Sequence, residues 1–288
     1  MTPRSGYLFA IAVIVLGALI ANQLDTPGDP FEGWARHDSK STQMIDHSDW
    51  DDLLKRYVFM HKKGVNRFNY DLFGAADRVL LKAYLATMAA IPISEFNRQQ
   101  QQAYWFNLYN ALTVKAILDH YPLKSIRDIS PELYLPGPWK LELISVEGEA
   151  LSLDDIEHGI LRPIWKDPRI HYAVNCAAMG CPNLQPRAFT ADNSESMLDH
   201  AAREFINHPR AASVRYGLLR VSSIYDWYQA DFGGSEAAVI AHLRKYADKR
   251  LIDLLKDKTK IDDFHYDWTL NSPTADEHGA GRVGRRGS

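Results

Sequence analysis

Cys176 and Cys181 are the only cysteines in the 288-residue chain, and both fall in the stretch HYAVNCAAMGCPNL, residues 171–184. Three chemistries are open to the pair. A disulfide across the four intervening residues is possible if the chain bends. So short a loop gains only about 2 kcal/mol from loop closure. A metal clip fits poorly, because structural zinc takes four Cys or His ligands and this spacing offers two. The third chemistry is a thiolate nucleophile at Cys176, activated by an imidazole that favours the charged sulfur. His171 and His158 are both candidate bases, and sequence spacing does not choose between them. A redox centre using both sulfurs is disfavoured, since the spacing is not Cys-x-x-Cys.

Three further stretches carry polar groups that could serve such a nucleophile. In IEHGILRPIW, residues 156–165, a short helix puts Glu157 with Leu161 on one side and His158 with Arg162 on another. The cluster reads either as a solvated carboxylate beside a His/Arg pair, or as a general base with the carboxylate that orients it. In AYWFNLYNALTVKAIL, Asn107 and Asn110 stand three apart on a helix that is otherwise apolar nearly all round. Buried amides must be hydrogen-bonded. They either tie loops to the core or line a pocket as orienting groups and oxyanion donors. SIYDWYQADFGG, residues 223–234, sets Asp226 and Asp231 among Tyr225, Trp227, Tyr228 and Phe232. It is either core with helix caps, or a ligand cleft whose carboxylate orients a histidine.

The elements that must position these residues are mostly helical. Trp50, Leu53, Leu54, Tyr57 and Val58 recur at helical spacing after Ser48, a cap residue. Leu80, Leu81, Tyr84, Leu85 and Met88 define a second helix over 75–90, stopped by Pro92. A third starts at Asn97, which with Gln100 resembles a capping box, and ends before Pro122. Residues 139–146 and 149–153 read as strands about a Glu147-Gly148 turn. Ser152 caps a short helix over 154–161 that Pro163 closes. Residues 169–175 read as a strand running into Cys176, on which His171 and Cys176 face opposite sides unless the chain bends at Asn175. Helix is expected at 194–206, a strand or hairpin about Gly217 at 213–222, helix at 224–231 and 235–255, and a half-buried strand at 264–270. This pattern predicts an α+β domain, mainly helical, with a small and antiparallel β-sheet.

The chain opens with MTPRSGYLFAIAVIVLGALIANQ, a positive residue followed by an apolar run over 7–21. Fifteen helical residues span roughly 22 Å, short of the roughly 30 Å hydrocarbon core but within reach of snorkelling flanks. Residues 1–23 are therefore expected to be a signal peptide or signal anchor, with Leu19 at the −3 position favouring an uncleaved anchor. A linker at 24–41, a domain at 42–271 and a disordered tail at 272–288 follow. Export places the domain in the periplasm, or on the inner membrane through the N-terminus if uncleaved. A net charge of −3, from 33 basic and 36 acidic residues, and the lack of basic runs argue against a nucleic-acid partner.

The order of WFNLYNALTVKAIL, SLDDIEHGILRP, IHYAVNCAAMGCPNLQPRAFT, WYQADFGG and YDWTLN resembles the DUF547 family, a domain of unknown function whose members are often exported bacterial proteins. The resemblance runs from about residue 48 to 271. It implies that Asn107, Asn110, Glu157, His158, Arg162, His171, Cys176 and Asp231 occupy motif positions, with Phe106 where isoleucine is common. It also implies that cysteine is usual at 176 while serine or aspartate is admitted at 181, which weighs against an obligatory disulfide. The family brings no activity with it. The residues themselves support a cysteine-dependent hydrolase or acyltransferase needing no cofactor or metal, acting on a small peptide-like or thiol-containing ligand. In that reading Cys176, His171, His158 and Glu157 are catalytic, and Asn107, Asn110, Arg162, Trp227 and Asp231 bind substrate. The rival is a non-enzymatic envelope module that binds a ligand or protein and is stapled by a Cys176–Cys181 disulfide.

Overall fold

A computed structural model describes residues 32–130 and 137–274. The expected leader, residues 24–31 of the linker and residues 275–288 of the tail lie outside the described residues. The chain divides into two units, 1–36 and 37–288. The described part of the first holds a single 3-10 turn, Glu32–Ala35. No helix among the described residues is long and apolar enough to cross a membrane.

The second unit is built around one helix. After α1 (Ser48–Tyr57) and the two-residue antiparallel pair β1 (Val58–Phe59) and β2 (Arg67–Phe68), α2 (Ala75–Ala89) packs against both α1 and α3 (Arg98–His120). Every residue of α3 from Gln100 to Val114 is buried. Apolar side chains all round a helix leave it no solvent face, so other elements must cover it on every side. Its start follows the expected cap only in part. Asn97 Oδ1 accepts the Gln100 N–H at 3.0 Å, but the Gln100 side chain turns away to take the Ile45 N–H at 3.1 Å.

Beyond α3, the hairpin β3 (Ile144–Val146) and β4 (Glu149–Leu151) turns at Glu147-Gly148, both at positive φ. The Ser152 and Asp155 side chains then bond each other's backbone N–H groups, at 3.2 and 2.8 Å, and start the next helix as expected. That helix is wound as π over Asp155–Leu161 and runs on without a break into α4 (Arg162–Trp165). Pro163 therefore does not close it. In the wider winding the Arg162 N–H reaches back to Glu157 C=O, five residues earlier.

A second correction falls next to the cysteines. The predicted strand over 169–175 is a helical turn, α5 (Ile170–Ala173). Asp167 Oδ1 accepts the Arg169 N–H at 2.8 Å and Pro168 presets the first turn, so the stretch that read as strand holds one turn of helix.

The remaining elements form a second core: α6 (Ser194–Ile206), β5 (Ala212–Arg215), β6 (Leu218–Ser222), α7 (Ile224–Trp227), a 3-10 turn (Gln229–Phe232), α8 (Glu236–Tyr246), α9 (Lys249–Leu255) and β7 (Asp263–His265). The expected helix over 235–255 is broken in two by Ala247 and Asp248, and Asp248 caps α9. β5 and β6 make an antiparallel hairpin, and β7 joins β6 in parallel. The domain is mainly helical with small, largely antiparallel sheets, as the sequence pattern predicts.

Candidate active site

The strand-to-helix correction decides where Cys176 sits. α5 hands the chain to a tight loop held by asparagines. Asn110 on α3 takes both its ends: Nδ2 donates to Ala173 C=O at 2.9 Å and Oδ1 accepts the Asn175 N–H at 2.8 Å. Asn175 then folds the loop on itself, with Oδ1 accepting the Ala177 N–H at 2.9 Å and Nδ2 donating to Pro182 C=O at 2.6 Å. Ala177 follows Cys176 at φ +58, a left-handed conformation that an alanine rarely adopts. The far side of the loop lies against the C-terminal segment, where the Met179 and Gly180 N–H groups bond Thr269 and Asp267 carbonyls, each at 2.8 Å. A Cβ on Gly180 would lie 2.7 Å from Asp267 N and 3.1 Å from Tyr266 Cδ1, so only glycine permits this approach.

The loop brings the two sulfurs together without bonding them. Both cysteines are free, with Cys176 partly exposed and Cys181 buried. The sulfurs are 3.0 Å apart, Cys181 Sγ also accepts the Cys176 N–H at 3.0 Å, and Tyr266 Oη lies 2.9 Å from Cys176 Sγ. The disulfide staple of the rival reading is not formed. The hydrogen bond to Cys181, and then burial, push the Cys176 thiol well up. Burial also opposes charge on Cys181, but the S–H and N–H of Cys176, the Tyr266 hydroxyl and the Arg210 charge outweigh it and pull Cys181 down. The pair's first negative charge therefore settles on Cys181, with Cys176 as its proton donor.

Neither sequence-predicted histidine is hydrogen-bonded to a sulfur. His171 is clamped between two carboxylates, with Nε2 at 2.7 Å from Asp231 Oδ2 and Nδ1 at 3.4 Å from Glu157 Oε1. Burial opposes charge on its ring, yet these two partners outweigh it and raise its pKa. The same bonds overcome burial to hold Glu157 and Asp231 below the usual carboxylate range. Arg162 holds Asp231 from the other side in a two-pronged pair, Nε to Oδ2 at 2.6 Å and Nη2 to Oδ1 at 3.1 Å. Tyr228 stacks on His171 at 4.3 Å between ring centres and carries the Arg162 guanidinium 5.0 Å from its own. His158 is the second histidine. Arg162 Nη1 approaches its Nδ1 at 3.1 Å, and a guanidinium can only donate, so Nδ1 accepts and the proton of the neutral ring is on Nε2. That Nε2 lies 3.7 Å from Asp154 Oδ1.

A cavity of about 310 Å³ joins these groups, and Cys176, Cys181, His158, His171, Glu157 and Trp227 all line it. Arg162 and Asp231 are not on its wall, where they were expected to bind substrate, but stand behind it and fix His171 and His158. Asn107 and Asn110 are also off the wall, at 0% and 3% exposure. Asn107 is spent on Phe189, donating to its C=O at 2.8 Å and accepting its N–H at 3.0 Å. Both amides therefore tie loops to the core, and off the wall they do not face an oxyanion in the cavity.

Sequence reasoning weighed Cys181 as a disulfide, metal or redox partner but not as a base, and it passed over Tyr266, Tyr109, Trp139 and Trp268, which line the cavity from distant segments. It also passed over Arg210, whose Nη2 donates to Asn183 Oδ1 at 2.7 Å while Nε and Nη1 are buried with no hydrogen-bond partner among the described residues. Burial lowers its pKa to about 10, with Cys181 the largest charge supporting it. The YDWTLN motif contains Tyr266 and Trp268 and was the available signal for them. Among the described residues, no group of three or more His, Cys, Asp or Glu could hold a metal ion.

A family model described as a protein of unknown function, DUF547, matches residues 93–206. No curated protein and no solved structure matches the chain. The matched range holds Asn107, Asn110, Glu157, His158, Arg162, His171 and both cysteines, while Asp231 and the 266–268 aromatics lie beyond it. The chain is thus similar to the DUF547 family over residues 93–206, which carry α3, the π-wound segment and the cysteine loop.

Proposed function

We propose that the protein is a thiol-dependent acyl-transfer or hydrolytic enzyme in which Cys176 is the nucleophile and Cys181 its base. The observation that carries this is the unbridged thiol pair, 3.0 Å between sulfurs, on the wall of a 310 Å³ cavity. The Cys181 thiolate takes the proton of Cys176 as the Cys176 sulfur attacks a carbonyl carbon. The oxyanion forms opposite a fixed donor, for which the neutral His158 Nε2–H is the available group in place of the asparagine amides. Collapse of the oxyanion breaks the bond to the leaving group, which departs with the proton held on Cys181 and leaves a thioester on Cys176. Water or a second acceptor then releases the acyl group. His171, with both ring nitrogens engaged, is a fixed cation that orders Glu157, and it is not the base. The apolar run at 7–21 supports placing this chemistry in the cell envelope.

The test is incubation with small aryl thioesters followed by mass spectrometry of the intact protein. The expected result is an acyl adduct on Cys176 that is absent from Cys176→Ser, together with two titratable thiols per chain. The upward push on the Cys176 thiol favours a second reading, a ligand-binding module with an inert pair. No adduct from any ester, in a protein with both thiols free, would establish that reading instead.

A further inference from the structure

We infer that the cavity selects an uncharged acyl group built on a flat aromatic ring. This rests on the thiol chemistry proposed above and names the substrate that chemistry serves. Three observations converge. The first is the wall beside the sulfurs. Trp268 stacks on Trp227 at 5.6 Å with 27° between planes, meets Trp139 edge-on at 5.6 Å, and lies 4.6 Å from Tyr266, whose hydroxyl touches Cys176. Residues from three separate segments thus build one aromatic surface that ends at the nucleophile. Aromatic faces and edges reward a ring laid against them beyond the area buried.

The second observation is charge. Among the described residues, the buried and half-buried charges that line the cavity have counter-charges in the protein, and exposed Lys140 lies at its rim in the field of Asp154. Glu157 is paired with His171, Asp154 faces His158 and lies in the field of Lys140, and Cys181 lies in the field of Arg210. Beside the sulfurs, away from exposed Lys140, an acyl group carrying a carboxylate or an ammonium would shed its water and find no unpaired partner among the described residues, which is costly.

The third is size. The cavity of about 310 Å³ is roughly twice the ~150 Å³ that admits one benzene ring. It therefore holds a ring and the carbonyl group attached to it, and excludes a long peptide segment. Trp227, 46% exposed, stands at the solvent edge of the wall where a ring would enter.

The test uses three alkylating probes of matched chemistry: chloroacetamide, its N-phenyl derivative and chloroacetate. Each rate at Cys176 is divided by the rate with N-acetylcysteine. The phenyl probe is expected to gain about tenfold over chloroacetamide, the worth of roughly one aromatic contact, and chloroacetate is expected to gain nothing. Trp227→Ala, at an exposed position, and Trp268→Leu are each expected to remove most of the phenyl gain. A phenyl gain below twofold, a gain for chloroacetate, or a phenyl gain that survives both substitutions would overturn the inference and leave the thiol chemistry standing. Failure of all three probes to alkylate Cys176 in the folded protein would instead remove the thiol chemistry, and this inference with it.

Discussion

A thiol pair 3.0 Å apart titrates as a unit, and which sulfur reacts differs from which sulfur is charged. Cys181 collects the hydrogen bonds and the Arg210 field, so the pair gives up its first proton more readily than a lone cysteine would. Cys176 is the partly exposed member and borrows that charge by passing its proton across. Without Cys181, Cys176 must ionise alone against burial, helped only by the Tyr266 hydroxyl. Cys181→Ser is therefore expected to move the pH profile of Cys176 alkylation upward by about one unit or more. Stopped-flow alkylation between pH 6 and 10 reads this directly, and an unchanged or lowered inflection would show that Cys181 is not the base. The sequence presented Cys176 as the nucleophile in need of a histidine. It gave no hint that the fifth residue along would take that part, because the fold-back depends on Asn175, on Ala177 in the left-handed region and on Gly180 against Asp267.

Helix α3 governs the site through two asparagines, and their positions separate stability from reactivity. Asn107 ties down Phe189, on a segment that contributes nothing to the cavity wall. Asn110 spans Ala173 to Asn175 and so sets the entrance to the cysteine loop. Each substitution by alanine leaves two buried backbone groups without partners and should cost about 2–4 kcal/mol. In chemical denaturation both variants are expected to be less stable. In alkylation of the folded protein, only Asn110→Ala is expected to change the rate at Cys176. Equal alkylation behaviour would show that the loop holds its shape without α3.

The same helix shows what could be read in advance. Its apolar circumference, its Asn97 cap and its stop before Pro122 are local signals, and so are α6 and the turn at Tyr216-Gly217. The turn at α5 was misread because Ile170, Tyr172 and Val174 set strand-forming side chains at every second position, while the deciding signal was the Asp167-Pro168 pair just before it. The π winding at Asp155–Leu161 has no local signature, since one added residue per turn is set by what the helix packs against. Nor could spacing reveal that Glu157, His171 and Asp231 form one chain of charge. Their separations of 14 and 60 residues are closed only by the tertiary fold.

At the scale of the whole molecule, buried histidines pull stability in opposite directions with pH. His171 is held protonated, so its folded pKa lies above the unfolded value near 6.5. Its contribution is complete below that value and is lost as pH rises through the folded one. His47, 4% exposed with Nδ1 at 2.8 Å from Tyr84 Oη, is held neutral by burial, and its pKa is lowered to about 4. Its contribution is complete above 6.5 and is lost as pH falls toward 4. His242, beside Tyr172 Oη at 2.8 Å, is likewise lowered to about 4 and acts in the same sense. Glu157 and Asp231, both lowered, add a further loss below the ordinary carboxylate range. Stability should therefore peak near neutrality, fall between pH 6.5 and 4 through His47 and His242, and decline on the alkaline side through His171. At pH 5 a buried neutral histidine of this kind gives up about 2 kcal/mol. His47→Asn keeps an acceptor near Nδ1 and removes the ionisation. Its deficit relative to the natural protein in urea denaturation is expected to shrink by about that amount between pH 7 and pH 5. A deficit constant across that interval would mean that His47 does not titrate in the unfolding transition, and the acid limb would then belong to the carboxylates around His171.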